Sequence, residues 1–400
     1  MNTKYNFDQE IDRSNTNSIK LEALESVFGS KDIIPLWIAD MDFLTPPSIT
    51  QAMKQRVEHG IFGYVQPDEH YFNAIINWLK NRHHWTVEQD TISFIPGVVK
   101  GFAFAIDAFT NQNDKIIIQP PVYPPFKGTT EDLKREIVNN PLIFENGQYR
   151  MDFDNLREVA KTGAKMLILC NPQNPSGRIW TREELIELAE ICYDNNIIVI
   201  SDEIHADLEL PGNKHIPFAT VSEKAAQNTI TLMAPSKTFN IAGIVSSFAV
   251  VDNKKIRERY FDYLEARQLN QGTIFAYLAA QYAYETGEEW LNQVMEYVQG
   301  NIDFVDSYLQ EHIPQLRVVR PDASFLIWLD CRELNLPQTE LENFFIHKAK
   351  LGLNSGTMFG EEGEGFMRLN VGCPRITLEK ALDNLTSKEN VTSSSATVPP

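Results

Sequence analysis

The stretch Ile197-Ile-Val-Ile-Ser-Asp-Glu-Ile-His205 decides the fold, because it joins an apolar run directly to a group of polar residues. Its first five residues have the length and β-branched composition typical of a strand buried on both faces. Amphipathic helical patterns lie between runs of this kind, and the alternation predicts an α/β fold with a largely parallel sheet covered by helices. The other runs are Lys115–Gln119, Lys165–Cys170 and Thr229–Met233.

The clearest helical pattern runs from Thr181 to Ile191. Thr181 is followed three residues later by Glu184, and this spacing predicts a capping box at the start of the helix. After about residue 285 the pattern changes to a long helical stretch followed by short strand-like segments, which predicts a second, smaller α+β domain. We therefore expect an N-terminal arm belonging to the small domain at 1–46, a large domain at 47–286, the small domain at 287–386 and a disordered tail at 387–400.

Composition excludes several classes of protein. The formal net charge of −18 argues against nucleic acid or an anionic membrane as a partner, since both favour a basic surface. The four cysteines form no Cys-x-x-Cys pair, so a disulfide framework or a zinc ribbon is not expected. The N-terminus lacks the apolar stretch of a secretory signal, and the apolar runs are far shorter than the ~20 residues of a membrane span. These features predict a cytoplasmic protein.

Polar and aromatic residues follow each of the predicted strands. Because the carboxyl ends of parallel strands meet at one edge of a sheet, we expect the loops that follow them to form one site. These loops are Pro120–Pro125, Asn171–Gly177, Asp202–His205 and Ala234–Lys237.

Lys237 lies thirty-five residues after Asp202, among small and apolar neighbours. A lysine in such a setting has a lowered pKa and can act as a nucleophile, while a buried aspartate can hold a positive charge on a ring. This pair is what a pyridoxal 5′-phosphate (PLP) enzyme requires. Taken alone, the Ser-Lys pair is weak evidence, because most lysines are solvated surface residues. Residues 202–205 also match the DExH pattern of helicase-type ATPases, but the chain has no Gly-Lys-[Ser/Thr] phosphate loop.

Other candidates have a structural alternative beside the functional one. The turn Pro96–Gly101 precedes an apolar helical run and could bind phosphate through free amides, with help from the hydroxyl of Ser236, or could be a plain helix start. Asn174 could donate to a phenolate oxygen or belong to a structured turn. Tyr123 could stack on a flat ring or fill a proline-rich loop. Arg368, in an apolar strand-like segment, could bind a substrate carboxylate or an internal one.

No metal site is expected. His83 and His84 are adjacent, which points them apart on a helix, and we expect both at the surface. Asp40 and Asp42 stand in an apolar setting that favours a buried structural loop over a metal pair.

Taken together, these motifs resemble those of the MalY/PatB-type cystathionine β-lyases, which are fold-type I PLP enzymes. The matching motifs follow one another in family order along nearly the whole chain. They are Pro35–Phe43, His59–Tyr64, Pro96–Val99, Gln119–Phe126, Cys170–Arg178, Ser201–Asp207, Ala234–Asn240 and Phe366–Asn370.

The resemblance implies the aspartate aminotransferase-like fold and a role for each matching position. Lys237 would carry PLP as a Schiff base, with Asp202 at the pyridine nitrogen and Asn174 at the ring oxygen. Tyr123 would stack on the ring, His205 would lie just beyond Asp202, and Tyr64 would reach the phosphate from the partner subunit of a homodimer. The remaining implied contacts are Val98, Val99 and Ser236 with the phosphate, Arg368 with the substrate carboxylate, and Ala39 and Trp37 beside the substrate.

The implied activity is α,β-elimination of L-cystathionine or other cysteine S-conjugates, giving a thiol, pyruvate and ammonia. The resemblance implies that aspartate aminotransferase-like relatives carry an arginine eight residues after the lysine; here that position is Val245, and the lyase branch lacks that arginine too. Two alternatives remain open, an aminotransferase on the same scaffold and a PLP-containing protein whose main task is to bind a regulator.

Overall fold

The computed structural model describes residues 4–387, so residues 388–400 of the predicted disordered tail lie outside it. The helices are α1 (Ile19–Glu22), α2 (Leu24–Phe28), α3 (Pro47–His59), α4 (Glu69–His83), α5 (Val98–Phe109), α6 (Pro125–Asp132), α7 (Phe153–Ala160), α8 (Arg182–Asp194), α9 (Glu223–Gln227), α10 (Pro235–Thr238), α11 (Lys254–Glu265), α12 (Ile274–Thr286), α13 (Glu288–His312), α14 (Gln338–Asn343) and α15 (Arg375–Thr386). The strands are β1 (Ile34–Pro35), β2 (Ile92–Ile95), β3 (Lys115–Ile118), β4 (Glu136–Asn139), β5 (Ile143–Glu145), β6 (Gln148–Arg150), β7 (Met166–Cys170), β8 (Ile198–Asp202), β9 (Thr229–Met233), β10 (Ser247–Val250), β11 (Arg317–Val319), β12 (Leu326–Asp330), β13 (Leu351–Gly352), β14 (Asn354–Ser355) and β15 (Phe366–Asn370).

The main sheet has seven strands in the order β2-β10-β9-β8-β7-β3-β4. β10 runs antiparallel to both of its neighbours, and the other strands share one direction. Successive residues of the central strands enter two different apolar cores. Leu167 and Val199 pack into the core beneath α7 and α8, whereas Ile168 and Ile200 pack into the core beneath α5 and α11. Burial on both faces explains why these strands are continuous apolar runs.

The four predicted strands are confirmed to within one residue at each end, and the helix predicted from Thr181 to Ile191 is observed as α8, which ends three residues later. The capping box of α8 is also present: the amide of Glu184 donates to Thr181 Oγ1 over 3.2 Å, and the amide of Thr181 donates to Glu184 Oε2 over 2.8 Å. Strands β2, β4 and β10 were not predicted. The N-terminal arm contains the short helices α1 and α2, for which no helical pattern was predicted.

A second, antiparallel sheet forms the C-terminal part of the chain, in the order β11-β12-β15-β14. The long helix α13 precedes it, as predicted. β1 pairs with β13, so residues 34–35 are attached to the C-terminal part of the chain. This pairing agrees with placing the N-terminal arm in the small domain, although the exact domain boundaries stay a prediction.

The prediction that His83 lies at the surface is wrong. His83 is the last residue of α4, its side chain is buried, and its Nε2 lies 2.8 Å from Asp207 Oδ1. His84 follows in the left-handed conformation and is exposed, because the helix ends between the two residues. A buried carboxylate beneath the helix end, which the local sequence does not reveal, draws the first histidine inward.

None of the helices in residues 4–387 combines the length and the apolar character that crossing a membrane requires.

Candidate active site

A cavity of about 480 Å³ opens at the carboxyl edge of the parallel strands. The four strand-end loops contribute to it, together with the start of α5, the segment after β1 and the C-terminal sheet. Convergence of the loops at one site, predicted from the strand order, is thus observed. The predicted site residues that line this cavity are Trp37, Ala39, Val98, Val99, Tyr123, Asn174, Asp202, His205, Ser236, Lys237 and Arg368.

Lys237 extends from α10 into this cavity. Its Nζ donates a hydrogen bond to the backbone carbonyl of Ala39 over 2.5 Å. Burial lowers the pKa of the amine to about 8, and the positive charge of Arg368 acts in the same direction. A substantial fraction of the amine is therefore neutral near physiological pH, as a nucleophile or a base requires.

Asp202 ends β8 on the same edge of the sheet. Its Oδ1 accepts a hydrogen bond from the amide of Ile204 over 3.1 Å, and within residues 4–387 the carboxylate takes part in no ion pair. Burial raises its pKa to about 7. A buried carboxylate without a cationic partner stabilises a protonated nitrogen placed beside it.

His205 and Tyr123 are neutral groups on the wall of the cavity. Burial lowers the pKa of His205 to about 3, helped by the charge of Lys237, and its Nδ1 lies 3.2 Å from Ser324 Oγ. Burial also raises the pKa of the Tyr123 phenol, with Asp202 adding to the effect. Neither residue carries charge at neutral pH, so the charged groups of the cavity are Asp202, Lys237 and Arg368, with Lys100 on its rim.

Arg368 is buried in β15, and its guanidinium is held by neutral oxygens alone. It donates to Asn174 Oδ1 over 3.0 Å, to the carbonyl of Trp37 over 3.0 Å and to Asn354 Oδ1 over 2.6 Å. No carboxylate of the described chain forms an ion pair with it, so the alternative of an internal salt bridge is wrong. Burial lowers its pKa to about 10, which still leaves it charged. A buried cation that lacks an anion is a site for a ligand carboxylate.

The N-terminus of α5 forms another wall. Gly97 precedes the helix with a φ of +120°, and the amides of Val98 and Val99 in the first turn have no carbonyl partner within the helix. Ser246 Oγ is buried beside them without a partner in the part of the chain that is described. Free amides and hydroxyls at the start of a twelve-residue helix form an anion-binding site.

The segment from Trp37 to Phe43 connects the lysine and the arginine. Asn240, three residues after Lys237, bonds the backbone of Met41 and Phe43, and Asn370 donates to the carbonyls of Ile38 and Asp40. Asp40 and Asp42 form ion pairs with Arg13 and Lys20, but their side chains are 23% and 21% exposed, so the loop is only partly buried and not buried as predicted.

Sequence reasoning missed Asn354, Ser246 and Asn240. Asn354 gave no signal, because its contact with Arg368 depends on the pairing of β14 with β15. The doublet Ser246-Ser247 could have been noticed as two small hydroxyl residues shortly after Lys237.

Tyr64 does not line the cavity of its own chain. Its side chain is fully exposed, and its neighbours Ile61, Phe62 and Val65 are exposed apolar residues as well. The predicted role of Tyr64 therefore depends on a second subunit.

These features fit PLP, which is a flat ring bearing a phosphate, an aldehyde and a basic nitrogen. The start of α5 with Ser236 and Ser246 matches the phosphate, Lys237 matches the aldehyde, and the unpaired carboxylate of Asp202 matches the nitrogen.

Comparison with known proteins agrees with this fit. Residues 31–385 match the family "Aminotransferase class I and II". Cystathionine beta-lyase PatB of Bacillus subtilis is 42% identical over 94% of this chain and 98% of its own, and MalY of Escherichia coli is 32% identical over 95% and 98%. Cystalysin from Treponema denticola, whose structure contains PLP, superposes with a TM-score of 0.94 at 32% identity over 98% of this chain and all of its own. A PLP-bound putative aminotransferase from Clostridium difficile 630 gives a TM-score of 0.93 at 41% identity over 96% of this chain and 99% of its own. This chain therefore belongs to the aminotransferase class I and II family, with the aspartate aminotransferase-like fold, in the branch that contains PatB and MalY.

Proposed function

We propose that this chain is a PLP-dependent carbon–sulfur lyase, which cleaves L-cystathionine and related cysteine S-conjugates to a thiol, pyruvate and ammonia. One observation carries the proposal: a single cavity holds an amine of lowered pKa, an unpaired carboxylate and an arginine without an anionic partner. The name of PatB, a cystathionine beta-lyase that is 42% identical to this chain, supports the choice of reaction.

Each charged group of the cavity would have a different role in an elimination reaction. Arg368 would bind the substrate carboxylate and so fix the orientation of the Cα–H bond. When bound, PLP supplies a Schiff-base linkage to the substrate amine and a ring that accepts the electrons of that bond. Lys237, free of the cofactor at this stage, would remove the Cα proton with its neutral amine. Asp202 would keep a proton on the ring nitrogen, and His205 would remain a neutral group of the cavity wall.

Loss of the sulfur substituent completes the reaction. The thiolate leaves from Cβ, and addition of water to the three-carbon fragment yields pyruvate and ammonia. Cystathionine plus water thereby gives homocysteine, pyruvate and ammonia, so the atoms balance without an external oxidant or reductant.

We also infer a homodimer in which Tyr64 reaches the partner's cavity. The support is the exposed apolar run around Phe62, together with a cavity that Tyr64 of the same chain does not line.

A cytoplasmic location is proposed because all four cysteines are buried free thiols.

The test is product analysis on purified protein with cystathionine. We expect pyruvate and free thiol to form in equal amounts, and Lys237→Ala to abolish both. Lys224→Ala is the matched control, because Lys224 lies at the surface in an ion pair with Asp194. Accumulation of the aminated cofactor with the keto acid of the substrate, without pyruvate, would identify an aminotransferase instead.

A further inference from the structure

A buried carboxylate lies behind Lys237, outside the cavity. Asp207 Oδ1 accepts hydrogen bonds from Trp78 Nε1 and His83 Nε2, each over 2.8 Å. Its other oxygen, Oδ2, accepts from the hydroxyl of Thr238, also over 2.8 Å. Thr238 is the residue directly after Lys237, so Asp207 is connected to the lysine through one side chain and one peptide bond.

The surroundings of Asp207 keep it ionised and in place. Burial alone would raise its pKa, but the hydrogen bond and charge of His83, with Arg82, outweigh burial and lower the pKa to about 2. Arg82 also donates to the backbone carbonyl of Asp207 over 2.9 Å. Trp78, Arg82 and His83 all belong to the last two turns of α4, which therefore acts as a rigid support for the carboxylate.

A second buried pair adjoins this network. The ring of His83 meets the ring of His215 edge-on, with centroids 5.6 Å apart. His215 Nε2 lies 2.8 Å from Glu203 Oε2, and Glu203 Oε1 accepts from Ser201 Oγ and from the amide of Phe218. Glu203 directly follows Asp202. The network thus extends from the residue after the lysine to the residue after the catalytic aspartate.

The helix that carries Lys237 needs support of this kind. α10 spans only Pro235–Thr238, and a helix of one turn has little stability of its own. Thr238 ties its end to Asp207, and Asn240 ties the following residues to Met41 and Phe43. These two attachments fix the backbone from which the lysine side chain extends.

We propose that Asp207 is a positioning residue for Lys237, acting through Thr238: supported by Trp78 and His83, it fixes the one-turn helix α10 so that the amine points into the cavity. The proposal rests on the proposed function, because it assigns Asp207 a part in presenting the lysine that PLP chemistry needs. A network with only a structural role would affect stability and leave the lysine's properties unchanged.

The experiment compares Thr238→Val, Thr238→Ser and Asp207→Asn with the unaltered holoenzyme. Thr130→Val is the matched control, because Thr130 is fully buried and its hydroxyl bonds only the carbonyl of Phe126 over 2.7 Å. Three quantities are measured for each protein: the pH midpoint of the absorbance change of PLP bound to Lys237, kcat and KM with cystathionine, and the urea concentration at half-unfolding.

We expect Thr238→Val and Asp207→Asn to lower kcat about tenfold or more with a smaller change in KM, since a lysine displaced by a fraction of an ångström reacts poorly. Both should also shift the absorbance midpoint, whereas Thr238→Ser should restore both quantities. Thr130→Val should lose stability to a similar extent as Thr238→Val and keep the midpoint and kcat.

A Thr238→Val enzyme with an unchanged midpoint and unchanged kcat would overturn the proposal. The absorbance midpoint does not depend on which reaction the enzyme catalyses. If the unaltered protein binds PLP through Lys237 and releases no pyruvate, the lyase assignment fails while the positioning role is still decided by the midpoint.

Discussion

At the scale of single residues, we propose that Arg368 defines the class of substrate. A guanidinium buried among three neutral oxygens and the ring of Phe359, 4.9 Å away, keeps its charge at a cost in desolvation. That cost is offset when a carboxylate binds, so the residue favours amino acids over simple amines.

Arg368→Gln should therefore lower kcat/KM for cystathionine by about 30-fold or more, because loss of one partner of a buried charge pair costs about 2–5 kcal/mol. The measurement is kcat/KM for cystathionine. Arg332→Gln provides the control, since Arg332 pairs with Asp330 at the surface and should keep wild-type kinetics. Equal losses in the two variants would contradict this role.

The raised pKa of Asp202 predicts that the cofactor-free protein becomes less stable as the pH rises. Its folded pKa is about 7 against an ordinary value of 3.8. The folded protein keeps a proton that the unfolded chain releases, so the stability of the cofactor-free protein falls as pH rises from about 4 to 7. Asp202→Asn removes this titration, and its advantage in the free energy of unfolding should grow across that window and level off above it.

Urea unfolding of the cofactor-free protein at pH 5 and pH 8 measures the effect. Asp154→Asn, at a fully exposed position, should show no comparable change between the two pH values. An Asp202→Asn protein that is less stable than the wild type at pH 8 would disprove the account.

Residues in the strand-end loops could be predicted from the sequence, because each one directly follows an apolar run. His83 could not be placed correctly, since its partner Asp207 is 124 residues away along the chain. Asn354 likewise acquires its role only when two short strands pair.

Among the elements, the start of α5 has the clearest consequence for the cofactor. Gly97 has a φ of +120°, a conformation that side chains other than glycine rarely adopt, although a Cβ there would meet no atom within 4 Å. Gly97→Ala should therefore act by moving the backbone amides of the first turn. We expect PLP affinity to fall about tenfold, measured by titration of cofactor-free protein with PLP.

Gly163→Ala is the matched control for this prediction. Gly163 has a φ of +86° and the same open space around a Cβ, but it lies in the turn after α7 and does not line the cavity. Both variants should lose about 1 kcal/mol of stability or more. Only Gly97→Ala should lose PLP affinity, and a loss in both would assign the effect to general destabilisation.

Elements buried on both faces were easier to predict than those at the edges. β7, β8 and β9 are buried along almost their whole length, whereas the edge strand β4 has two half-buried residues between two exposed ones and does not stand out from a loop. β10 begins with a serine and has only four residues. Helices α1 and α2 have four and five residues, too few for a helical period to be visible.

At the scale of the whole molecule, the exposed run from Ile61 to Val65 is the feature that one chain leaves unexplained. Phe62 and Ile61 are more than half exposed, and Tyr64 is fully exposed. A second subunit that covers this run would also complete the cavity if Tyr64 reaches it.

Mixing two inactive variants tests the shared site. Lys237→Ala and Tyr64→Ala homodimers should each have low activity, whereas subunit exchange should restore activity in the mixed dimer. One cavity of that dimer would combine an intact Lys237 with an intact Tyr64 from the other subunit. The measurement is pyruvate release before and after exchange.

Lys237→Ala mixed with Arg332→Ala is the control: Arg332 is remote from the cavity, so Arg332→Ala should be active and exchange should leave the total activity unchanged. If each chain uses its own Tyr64, exchange between the two inactive variants would leave activity at the level of the separate proteins.

The single reversed strand of the main sheet affects how this enzyme can change over evolutionary time. Because β10 runs against its neighbours, the chain leaves the carboxyl edge after β9 and re-enters the sheet at that same edge. Residues 239–246 consequently form a short connection that does not cross the sheet, and Ala242, Val245 and Ser246 of this connection line the cavity. Position 245, where the resemblance to this family implies an arginine in aminotransferase-like relatives, belongs to this loop, so a different side chain there leaves the sheet unchanged. A substitution at position 245 can thus change the contacts available to the phosphate while the main sheet stays the same.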